Sequence, residues 1–141
     1  PRPYPPLMLE QDFPRDFGSL EPIFGFVRSF LAARGIDDRH AWDLDLIVEE
    51  LFTNMVKYAP GRHPIRVGLD WERPVLTVQL RDFGVPAFDP TRAPKPDVEA
   101  PVSERRAGGL GIHLVRSIAD ALEYQHRDGD SVVTVRKRLD P

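Results

Sequence analysis

Proline sets the first limit on how this chain can fold: it accounts for 15 of 141 residues, and they cluster. Proline lacks an N–H and fixes φ, so helix interiors and central strands exclude it. Pro1, Pro3, Pro5 and Pro6 mark residues 1–6 as an extended lead-in. Pro86, Pro90, Pro94, Pro96 and Pro101 crowd a second stretch, so 86–107 reads as one long loop. Loops beyond about 12–15 residues inside a compact domain are mostly lids, binding loops or disordered segments. The remainder of 7–139 is expected to fold as a single domain around that loop.

Composition then narrows the function classes. A chain of 141 residues with 41% hydrophobic and 29% charged residues can bury one core without staples. Its net charge of -3 lacks the basic footprint of a nucleic-acid binder, so no direct nucleic-acid contact is expected. No apolar run approaches the roughly 18 residues of a membrane span, and the opening residues lack a signal peptide's apolar segment. The expected location is the cytoplasm, with no membrane contact. Cysteine is absent, which removes disulfides, thiol nucleophiles and zinc-thiolate sites. His40, His63, His113 and His126 are scattered with no pair at i,i+3 or i,i+4, so zinc is not expected.

The hydrophobic pattern alternates between two periods. Leu7 to Phe13 predicts a short strand, and Leu20, Ile23, Phe24, Val27, Phe30 and Leu31 predict a helix to Arg34. Asp37 or Asp38 is expected to cap a second helix that runs to about Tyr58, with Leu44, Ile47, Val48, Leu51 and Met55 on its buried stripe. Ile65 to Trp71 and Val75 to Arg81 alternate as strands. Gly109 opens a third helix to about Leu122, and strands follow near Leu122 to His126 and Ser131 to Arg138. The expected architecture is α+β: a mixed, mostly antiparallel sheet with three main helices on one face.

Three motifs sit on this frame. On the second helix, at roughly 100° per residue, Glu50 and Asn54 fall one turn apart on the border between core and solvent. Lys57 lies near them at the next turn, and Glu49 points about 100° away from Glu50. Alone, this pair reads as an ordinary polar flank. Asp82 ends a predicted strand, followed by Gly84; alone, it is a turn acid with a glycine that supplies positive φ. Gly109-Leu110-Gly111 stands directly before a helix, where free backbone N–H groups face an anion such as a phosphate. It is neither a Walker sequence nor the dinucleotide fingerprint, because no Gly lies three residues after Gly111.

In their order, Glu50-x-x-x-Asn54, Asp82-x-Gly84 and Gly108-Gly109-Leu110-Gly111 resemble the N, G1 and G2 boxes of the GHKL ATPase superfamily, above all its stand-alone anti-sigma factor serine/threonine kinases. The resemblance spans nearly the whole chain and implies the two-layer Bergerat fold, with ATP or ADP and Mg²⁺ as cofactors. It implies Asn54 as the Mg²⁺ ligand, Glu50 as the catalytic base or water-orienting acid, and Lys57 near the phosphates. Asp82 would take the adenine amine, Gly84 would shape the base pocket, and Thr134 would offer a hydroxyl to adenine. Gly108, Gly109, Leu110 and Gly111 would bring backbone N–H groups to the phosphates.

The long loop 86–107 becomes an ATP lid in this comparison. Arg105 and Arg106 are then either phosphate contacts or a solvated basic turn. Implied partners are a sigma factor or similar regulator and an anti-anti-sigma (STAS-type) substrate, with homodimerisation suggested. Two other functions fit the same motifs: a non-catalytic nucleotide-binding capture module, and the catalytic domain of a histidine kinase.

Overall fold

The structure is a computed structural model that describes residues 8–59, 61–87 and 109–140; the side chains of 109 and 110 also fall outside the description. Its elements run β1 (Leu9–Phe13), α1 (Leu20–Ala33), α2 (Ala41–Tyr58), β2 (Ile65–Glu72), β3 (Val75–Asp82), α3 (Gly109–Ile118), β4 (Ala121–Arg127) and β5 (Asp130–Arg138). The strands form one sheet in the order β1-β2-β3-β5-β4. Every pairing is antiparallel, which replaces the mixed sheet expected from sequence. The physical reason is the path of the chain: α3 carries it past β3 to the sheet's far edge, and the β4–β5 hairpin then fills the gap.

Period-2 alternation decides which strand residues meet the helices. Ile65, Val67 and Leu69 of β2, Leu76, Val78 and Leu80 of β3, and Val133 and Val135 of β5 all point into the core. Facing them, α1 contributes Ile23, Val27, Phe30 and Leu31, and α2 contributes Leu44, Ile47, Val48, Leu51, Phe52 and Met55. α3 docks through Ile112 and Val115, three residues apart on one face. The opposite face of the sheet is polar, with Gln79 donating to Thr134 Oγ1 at 3.1 Å.

Two boundaries differ from the sequence expectation. Asp37 caps a single turn of tighter helix at Asp38–His40, accepting from the Arg39 N–H at 2.9 Å, and α2 begins only at Ala41. α3 stops at Ile118, because Leu122 is taken into β4 opposite Val135. Among the described residues no helix is long and apolar enough to cross a membrane.

Candidate functional site

α2 carries the first group of polar side chains. Its apolar stripe fixes its rotation against the sheet, and that rotation brings Glu50 and Asn54 to the side facing α3. Asn54 is only 2% exposed, deeper than the core border expected from the helical wheel. α3 packs against α2, and its Ile112 and Val115 join the same core. Glu50 is half-buried, whereas Glu49 and Lys57 are exposed. Burial, and then the neighbouring charge of Glu49, push the Glu50 carboxyl above the ordinary glutamate range, and Lys57 partly opposes them.

The start of α3 lies directly against Glu50. A Cβ built on Gly111 would overlap the Glu50 carboxylate, the end of a flexible side chain, which would have to swing aside. Gly111→Ala should therefore displace that carboxylate, and the cost of the displacement is set against the roughly 1 kcal/mol that the helix gains from alanine. In a Glu50→Ala background the same change should be neutral or stabilising. The double-mutant cycle, read by urea unfolding, is expected to give a coupling of about 1–3 kcal/mol. Additive effects would mean that the carboxylate does not rest on this glycine.

Asp82 closes β3 and pairs with Ile65 on one side and Ser131 on the other. Two steps beyond Leu80, it occupies a core-facing slot and is 0% exposed. Its Oδ1 is ion-paired with Arg15, while Oδ2 is buried and has no hydrogen-bond partner among the described residues. Burial raises the Asp82 carboxyl above its ordinary value, and the Arg15 charge and hydrogen bond pull against that rise. Arg15 comes from the connection after β1, where Nε donates to the His63 carbonyl at 3.2 Å and Nη1 to the Met55 carbonyl at 3.1 Å. Its guanidinium thus ties the end of β3 to the last turn of α2.

The corner after Asp82 is built by the β4–β5 hairpin. Gly84 takes φ of 61°, and its N–H donates to Asp130 Oδ1 at 2.9 Å. Asp130 also receives Arg81, at 2.7 Å to Oδ2, and these partners hold its carboxyl below the usual range. Val85 N–H donates to the Gly129 carbonyl at 2.9 Å, and the Val85 carbonyl lies 2.7 Å from His126 Nε2. The backbone beside Asp82 is therefore fixed by three bonds to the β4–β5 hairpin.

With the site assembled, its relatives can be named. The histidine kinase-like ATPase domain family matches residues 13–137. The chain belongs to this family. A serine/threonine-protein kinase, BtrW, of Bordetella bronchiseptica is 34% identical over 107 residues, covering 73% of this chain and 74% of that protein. The sensor histidine kinase YxdK of Bacillus subtilis is 33% identical over 86 residues, covering 57% of this chain but 26% of its own length. Among solved structures, the RsbU and RsbW domains of a Mycobacterium tuberculosis protein superpose with a TM-score of 0.66 at 15% identity, over 95% of this chain and 33% of theirs. The SiaB-SiaC complex of Pseudomonas aeruginosa gives a TM-score of 0.55 at 18% identity, over 92% of this chain and 88% of that one.

Not every residue singled out from sequence joins the group in this histidine kinase-like ATPase. Thr134 lies on the polar face of the sheet, across from Asp82, because Val133 and Val135 take the core face. The β5 hydroxyl on the Asp82 side is Ser131, buried and 3.2 Å from the Tyr124 hydroxyl. Strand parity alone would have found it. Gly109 and Leu110 contribute the first backbone units of α3. Gly108, Arg105, Arg106 and all but the first two residues of the expected lid 86–107 lie outside the described residues. Arg15 and Asp130 were missed altogether, for Arg15 stands 67 residues from its partner with no local motif.

Proposed function

We propose that this chain binds Mg-ATP along α2 and transfers the γ-phosphoryl group to a serine or threonine of an anti-anti-sigma (STAS-type) protein. In the same reading it captures a sigma factor or similar regulator. The observation that carries the proposal is Glu50 resting on Gly111 at the start of α3, with one Asp82 carboxylate oxygen that has no partner among the described residues and the other tied through Arg15 to the last turn of α2. The kinship with a serine/threonine-protein kinase over three quarters of its length supports the choice of acceptor.

The donor set fits the nucleotide at both ends. Asp82 Oδ2 is an acceptor without a donor among the described residues, which suits the exocyclic amine of adenine. At the phosphate end, the amide oxygen of Asn54 is a hard ligand suited to Mg²⁺. The ion, when bound, offsets the charge of the phosphates. The first N–H groups of α3, at Gly109, Leu110 and Gly111, would face the same anion. Lys57 would add positive charge around it, as would Arg105 and Arg106, and Gly108 would add an N–H donor.

Transfer then asks three things of the chain. It must hold the acceptor hydroxyl in line with the γ-phosphorus, take up its proton and exclude water. As the hydroxyl oxygen bonds to phosphorus, the bond from phosphorus to the bridging oxygen breaks and ADP departs. Glu50 receives the hydroxyl proton, and its raised pKa makes it a stronger base than a surface glutamate.

The test follows labelled phosphate. The chain is incubated with γ-labelled ATP, Mg²⁺ and proteins that co-purify from the native cell. Label is expected on a Ser or Thr of one partner, and it should vanish when Mg²⁺ is omitted. Nucleotide binding without transfer to any partner would replace the kinase with a capture module. No nucleotide binding would overturn both.

A further inference from the structure

Asp82 is an acid in a slot that the strand otherwise gives to apolar residues, and one oxygen of it is tied by an arginine from a distant connection. We propose that Arg15 is the positioning residue for base recognition: it holds Oδ1 of Asp82 and leaves Oδ2 as a pure acceptor for the exocyclic amine of adenine. This rests on the ATP-binding reading above. It goes beyond that reading by assigning base selectivity to a residue outside all three sequence motifs.

Four observations support the assignment. The guanidinium is held at three points, by the carbonyls of Met55 and His63 and by Asp82, so its orientation is set by the frame of the fold. Its side chain and that of Asp82 are 13% and 1% exposed, which keeps the ion pair out of competition with solvent. Gly61 makes room for it: a Cβ there would collide with Arg15 Nη2 and stand 2.8 Å from Asp82 Oδ1. Asp82 Oδ2, finally, is buried with no partner among the described residues. An arginine that merely neutralised the acid could engage both oxygens in a fork, yet here the second is left over.

The charge logic gives the selectivity. Asp82 faces Arg15 from the β1–α1 connection, His63 from the α2–β2 connection and Asp130 from the β4–β5 hairpin. Arg15 and His63 favour the ionised carboxylate; Asp130 and, above all, burial oppose it. An ionised Asp82 accepts from the amine of adenine and repels the carbonyl oxygen that hypoxanthine carries at the same position. Without Arg15, burial prevails and the carboxyl takes up a proton. A protonated Asp82 can donate to that carbonyl and accepts the amine less well.

The experiment measures binding of ATP and ITP by calorimetry between pH 5.5 and 8.5, on wild type, Arg15→Met, Arg15→Lys and Gly61→Ala. Wild type should prefer ATP, with affinity lost as pH falls through the Asp82 pKa. Arg15→Met should weaken ATP by about tenfold, shrink the ATP-to-ITP ratio by a similar factor and move the pH midpoint upward. Arg15→Lys keeps a positive charge and should retain most of the preference. Gly61→Ala displaces the guanidinium without deleting it and should shift the ratio in the same direction as Arg15→Met, which keeps the test intact if that variant does not fold. Wild type that binds no ATP would sink the ATP-site reading itself. ATP binding with an unchanged ratio and pH midpoint in Gly61→Ala and any folded Arg15→Met would overturn the role of Arg15, as would tighter ATP binding without it.

Discussion

Glu50→Gln is expected to lower phosphoryl transfer by about 10²–10⁴-fold while changing ATP affinity only severalfold. The amide keeps the size and hydrogen-bonding reach of the acid, so the loss isolates proton acceptance from packing. Wild-type transfer should rise with pH as Glu50 ionises. Because burial and Glu49 raise its pKa, the rise should fall above the ordinary range of glutamates. The variant should lack this limb. Stability should show the converse. Folding binds the Glu50 proton more tightly than the unfolded chain does, so ionising Glu50 costs wild-type stability as pH rises through its raised pKa. Glu50→Gln is spared that cost, and the advantage should disappear below the ordinary glutamate value of 4.5, where both side chains are neutral. Rate assays and denaturant unfolding across pH check both limbs. A pH-independent difference in rate would remove Glu50 as the base.

Local pattern made much of this site legible. The stripe from Leu44 to Met55 fixed how α2 rolls onto the sheet, and so which acid, Glu50 rather than Glu49, turns toward α3. Alternation from Leu76 through Leu80 continues to Asp82 and accounts for its place on the helix face, although by sequence alone it reads as a turn acid. The same alternation argues against Thr134, since Val133 and Val135 claim the inner positions and leave Ser131 beside Asp82. What stayed hidden depends on contacts across the fold. The depth of Asn54 is one such feature, because helix angle alone reports direction without cover. The wholly antiparallel sheet depends on where β5 inserts, which no single strand encodes. Arg15 carries no periodic signal; only the meeting of three connections reveals it.

Asn54→Ala is expected to weaken Mg-ATP binding by roughly 100-fold, the equivalent of about 2–3 kcal/mol for one lost interaction with a charged centre. The argument starts from its burial. An amide only 2% exposed, on the flank of α2 where apolar residues pack, breaks the local rule for a core helix position. Such departures are expected where a site needs the group. Alanine removes the ligand oxygen but retains helix propensity, so α2 itself should persist. Thermal unfolding separates the two possibilities. Wild type at a hundredfold excess of Mg-ATP over its Kd should gain about 2.7 kcal/mol, and the variant at the same concentration less than about 0.5 kcal/mol. Chelating Mg²⁺ should bring the wild type down toward the variant and leave the variant almost unmoved. If both proteins gain equally from Mg-ATP and respond equally to chelation, Asn54 is a structural amide and the metal is held elsewhere.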